Sequence, residues 1–144
     1  MLTDVFAADP GAVSGYKKAG FPAPGKFGFS TVRARDFDPV RLALLDCSIS
    51  SVPFSVALHD ACRTPGQEPN FFAGPVVSVL SERTVRWFLS AENEDISQIL
   101  TQWKEFDELN DVSPLVLESF SYELRRLCRE ASMSHMVVLV WNCL

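Results

Sequence analysis

The stretch MVVLVWNCL, residues 136–144, limits what this chain can become more than any other. Neighbouring side chains of a strand point to opposite sides of a sheet, so an unbroken apolar run of strand length suits a strand buried on both faces. Before it, Ser113 followed by Pro114 opens a helix over 114–132. Leu117, Phe120, Leu124, Leu127, Cys128 and Ala131 recur at helical spacing toward the core, and Arg125, Arg126 and Arg129 stand near the negative C-terminal end. The buried strand then ties this helix into the core.

Further upstream the same reasoning predicts a helix over 94–109. Ile96, Ile99, Leu100, Trp103 and Phe106 form its apolar stripe, and Glu94 and Asp95 occupy the first turn. Ser81 caps a helix over 82–90, and a strand over 76–80 starts after Pro75, which cannot donate a ladder bond. Asp38 before Pro39 starts a helix over 39–47. FGFSTVRAR, residues 27–35, alternates like a half-buried strand. Residues 51–63 admit either helix or strand, and 63–70 are rich in turn formers. Residues 1–26 mix glycine and proline with short apolar pieces and read as an irregular entry segment. The sum is a single α+β domain over residues 1–144, a small sheet packed against several helices.

Composition narrows the class. The chain has 144 residues, 47% of them hydrophobic, enough to form one adequate core without a metal or disulfide staple. No apolar run approaches the roughly 18 residues that span a bilayer, and no basic-then-apolar leader opens the chain, so the expected compartment is the cytoplasm. Cys47, Cys62, Cys128 and Cys143 lack paired spacing and lie in apolar neighbourhoods, so they read as buried thiols rather than a disulfide or metal site.

Charge is unevenly placed. Residues 1–90 carry nine Lys/Arg against eight acids, whereas residues 91–144 carry four against ten. A field of that sign repels phosphate backbones and favours a basic partner, so nucleic acid is excluded as the expected partner.

Candidate chemistry is sparse. His59 and Asp60 pair a base with a carboxylate, and Arg63 lies nearby, but adjacent residues diverge on a helix and on a strand, which works against a triad. His135 reads as a loop histidine at a helix end, and Cys128 as an inert thiol on an apolar stripe. The acids of 92–111 lack the spacing and central glycine of a calcium loop, and residues 11–20 have neither the spacing of a phosphate loop nor a lysine immediately before Ser or Thr. No cofactor and no metal are expected.

Glu94, Gln98, Thr101, Glu105 and Glu108 recur at steps of four and three residues, forming one polar ridge opposite the apolar stripe. Glu94, Gln98, Glu105 and Glu108 of this ridge, with Asp111, are the expected partner-binding residues.

From GPVVSVLSERTVRWFLSAENEDISQIL through LESFSYELRRLCREAS to MVVLVWN, the C-terminal half resembles the YfbM-like family of uncharacterised bacterial proteins. That resemblance implies an α+β bacterial cytoplasmic protein and brings no catalytic residues. Small acidic domains of this appearance are similar to immunity proteins, so the expectation is a non-catalytic inhibitor that neutralises a basic toxin domain. Two alternatives stay open: an enzyme of unfamiliar class using His59 and Asp60, and a structural homo-oligomer with an apolar patch around Phe71 and Phe72.

Overall fold

Residues 2–35, 37–63 and 74–143 are described by a computed structural model. In chain order the elements are β1 (Leu2–Ala8), α1 (Pro10–Lys18), a 3-10 turn at Pro24–Phe27, β2 (Ser30–Arg33), α2 (Pro39–Ser50) and α3 (Phe54–Ala61). Then come β3 (Val76–Val79), α4 (Glu82–Ser90), α5 (Asn93–Trp103), a 3-10 turn at Asp107–Leu109, α6 (Pro114–Met133) and β4 (Val137–Cys143). The strands form one antiparallel sheet in the order β2-β1-β4-β3. The α+β expectation holds.

β4 sits in the interior of the sheet and is covered on both sides, as its unbroken apolar run demands. Val138 and Val140 face the larger core, formed with residues of α2, α4, α5 and α6 such as Leu45, Phe88, Ile96 and Leu124. Leu139 and Trp141 face a smaller aromatic layer containing Phe6, Tyr16 and Phe21. In the larger core Phe37 stacks on Phe120 with ring centroids 4.2 Å apart, and Trp103 packs against Phe37 at 5.3 Å. Complete burial of side chains such as Phe37, Phe88 and Trp103 contributes about 2–3 kcal/mol each.

The entry segment is not irregular. Residues 2–8 form β1, paired with β2 on one side and with β4 on the other from Leu2↔Cys143 to Ala8↔Val137. Asp9 then caps α1 by accepting the Gly11 amide at 2.7 Å, with Pro10 in the first turn. Gly20, at φ +77°, ends the turn after α1 in a conformation that suits glycine. The smaller layer is then sealed by two buried polar tips. The Tyr16 hydroxyl donates to the Pro22 carbonyl at 2.6 Å, and the Trp141 indole donates to the Phe21 carbonyl at 2.9 Å.

Other boundaries move for local reasons. The strand expected over 27–35 begins only at Ser30, because Phe27 closes a 3-10 turn and Gly28 adopts φ +87°. The helix expected to end near Cys47 runs to Ser50, and Ser48 and Ser50 return hydrogen bonds to the Leu44 and Asp46 carbonyls. Residues 54–61 settle as helix. The helix expected over 94–109 stops at Trp103. There Lys104 turns its ammonium onto the carbonyls of Leu109 and Val112, folding the following residues back on themselves. Phe71 and Phe72 lie outside the described residues. No helix among those described is long and apolar enough to cross a membrane.

Candidate acidic interface

The α5 segment is built from its buried stripe outward. Ile96, Ile99 and Trp103 point into the larger core, and the Trp103 indole donates to the Arg41 carbonyl at 3.0 Å. That stripe forces Glu94, Gln98 and Thr101 to face water. At the helix start the Asp95 carboxylate accepts the Glu92 amide at 2.8 Å, where the helix dipole favours negative charge.

The expected ridge is not continuous. Glu94, Gln98 and Thr101 share the outer face of α5, whereas Glu105 lies past the helix end and Glu108 in the 3-10 turn. All remain exposed. Asp111 is already engaged, because Arg41 reaches across from α2 to donate to it at 2.7 Å and to the Glu108 carbonyl at 2.8 Å. The Arg41 hydrogen bond holds the Asp111 carboxyl below the usual carboxylate range.

Four cations reach this region, and each spends donors elsewhere than on Glu94, Glu105 or Glu108. Lys104 serves backbone carbonyls, Arg41 serves Asp111 and Glu108 O, Arg125 serves Ala91 O and the Asn93 side chain, and Arg129 serves Ala91 O. Among the described residues these three glutamates make no ion pair. The loop is therefore held by cations, while its outward carboxylates have no direct ion-pair partner among the described residues.

The alternative centre at His59 is of a different kind. His59 is 83% exposed, and its Nδ1 lies 3.6 Å from Asp60, too long for a hydrogen bond. Asp60 instead accepts from Arg83 at 2.7 Å, and the same guanidinium grips Asp46 at 2.6 Å. Asp46 is only 2% exposed and also receives weak contacts from Thr84 and Ser50 at 3.4 Å. The Arg83 hydrogen bond lowers the Asp60 pKa, and the two carboxylates raise that of Arg83. This network fastens α2, α3 and α4 together. The cavity beside it, lined by Asp46, Ala57, Ser81, Thr84 and others, has about 10 Å³, room for one water and no substrate. Arg63 contributes its carbonyl, which accepts the Val79 amide at 3.0 Å.

The sequence reading missed Asp46 and Arg83. Asp46 follows Leu42 by one helical turn inside LALLDC, so its place on an apolar face was the available signal.

Remaining candidates are quiet. His135 is exposed at the α6–β4 junction with φ +53°, and there backbone amides, not the imidazole, take up the helix-end carbonyls. None of the four cysteines is in a disulfide, and Cys128 is buried while the others are half-buried. Burial pushes the Cys128 thiol up to about 12, which suppresses its thiolate. No group of three or more metal-ligating side chains converges among the described residues. No protein family, curated protein or solved structure matches the chain.

Proposed function

We propose that this chain is a non-catalytic protein-binding module of the immunity type, which neutralises a basic toxin domain through the acidic surface of α5 and the turn after it. The observation that carries the reading is the set of exposed glutamates, Glu94, Glu105 and Glu108, left unpaired while four nearby cations are engaged elsewhere. Gln98 lies on the same face of α5 and supplies neutral donors and acceptors. Asp111 acts indirectly, by fixing the loop through Arg41. Charge of one sign on a fixed surface speeds encounter with an oppositely charged partner and opposes wrong ones. The bacterial, cytoplasmic setting is part of this proposal and follows the resemblance to the YfbM-like family.

The test uses the basic product of a reading frame adjacent to the gene, with association followed by stopped flow. Replacing Glu105 and Glu108 by lysine should slow association by about tenfold or more at low salt and leave the thermal midpoint unchanged. Equal association rates, or no binding of a basic neighbour, would overturn the reading.

A further inference from the structure

A second surface, of opposite charge, lies at the β2 edge of the sheet. The Ala34 amide donates to the Thr3 carbonyl at 2.8 Å, which fixes the phase of the β1–β2 ladder. Bonded and non-bonded pairs alternate in an antiparallel ladder, so residues 30, 32 and 34 turn their backbone groups toward β1. Thr31 and Arg33 then turn theirs outward. The edge is closed upstream, where the Phe29 amide donates to the Pro24 carbonyl at 3.3 Å. Beyond that point no described residue bonds the outward backbone groups of Thr31 and Arg33.

Beside this edge runs an open groove of about 550 Å³, lined by Arg33, Arg35, Phe37, Leu115, Val116 and Phe120 among others. Leu115 is 76% exposed and Val116 47%, a large apolar exposure for the first turn of a long helix. Arg33 and Arg35 are exposed and make no ion pair among the described residues. Glu123 also lines the groove, so its described charged lining is two arginines against one carboxylate.

Unpaired backbone groups, an apolar floor and a cationic wall together fit one class of occupant. We propose that the β2 edge and this groove bind an extended peptide segment of a partner protein, with alternating apolar and carboxylate side chains, as a fifth strand of the sheet. Main-chain bonds supply affinity in this mode, and every second side chain reaches the groove. A second copy of the chain is disfavoured, because two β2 edges meeting antiparallel would bring Arg33 and Arg35 against the same arginines.

The probe is a fluorescein-labelled nonapeptide alternating valine and glutamate, with a valine and lysine counterpart as control. Fluorescence anisotropy should show saturable binding of the acidic peptide alone, and Thr31 and Arg33 amide exchange should slow by about tenfold or more in the complex. Replacing Arg33 and Arg35 by glutamate should weaken binding by about tenfold or more. Thr31→Pro removes an outward amide while sparing the inward ladder, and should weaken it likewise. Should that variant fail to fold, Leu115→Asp carries the same expectation. Absence of saturation below about 1 mM, or equal binding of both peptides, would overturn the proposal. So would undiminished binding by the arginine variant. Dimerisation abolished by Thr31→Pro in sedimentation would assign the edge to a second copy and overturn it too.

Discussion

Asp46 is the single charged side chain counted as buried among the described residues, and it survives there because Arg83 meets both of its oxygens. Removing one partner of a buried ion pair strands the other charge, so Arg83→Met should cost about 3 kcal/mol in urea unfolding. The double variant with Asp46→Asn should lose less than the sum of the single losses, since no uncompensated charge remains. Asp60 adds a pH dependence. Its folded pKa is depressed by Arg83, so its contribution is complete above the unfolded value of about 4 and is lost as pH falls through the lower folded value. Stability measured across that acid range should fall less steeply in Asp60→Asn than in the unaltered chain. Asp4 works in the opposite sense, because burial raises its carboxyl despite Arg33, so acidification relieves a cost it imposes at neutral pH. The Asp46–Arg83 contact was hidden in the sequence because its partners lie 37 positions apart, and pattern reading sees only neighbours within a turn or two.

At the scale of elements, legibility followed the strength of local signals. Ser81 stands immediately before α4, and Ser113 before α6 with Pro114 in its first turn. Both helices begin where expected and α4 matches its expected span, but only Ser113 makes a capping bond, the Ser81 hydroxyl making none. α1 was lost because glycine and proline recur through residues 10–25, although Asp9–Pro10 is the same starting device as Asp38–Pro39, and β1 because Asp4, Ala7 and Ala8 are weak strand formers. Asp9→Ala should therefore cost about 1 kcal/mol of stability in chemical denaturation, the usual loss for an N-cap. α5 was overrun because Phe106 and Leu109 prolong the apolar period past the helix, and periodicity does not register a lysine that collects carbonyls. Lys104→Met should raise amide exchange at Leu109 and Val112 by about tenfold while leaving Ile96 and Ile99 protected, as expected for local opening. The candidate site was half legible for the same reason. Glu94 and Gln98 share a helical face, while Glu105 and Glu108 reach solvent by way of a folded-back turn.

At the scale of the whole molecule, the described residues form two cores divided by one sheet, and the thiols report on their integrity. Cys128 is fully buried in the larger core with a strongly raised pKa, whereas Cys143 packs at the margin of the smaller one. A disulfide reagent applied to the native protein should therefore leave one thiol unmodified until denaturant opens the larger core, and rapid reaction of all four would contradict the packing described.

The central ladder joins β1 to β4, the first strand to the last. During synthesis, a nascent chain that has left the ribosome as far as residue 136 presents Val5 and Phe6 without their inner neighbour, however well its helices have formed. Assembly of the sheet is deferred until β4 emerges, so a stalled or slowly translated message exposes β1 to chaperones or to the strands of neighbouring polypeptides.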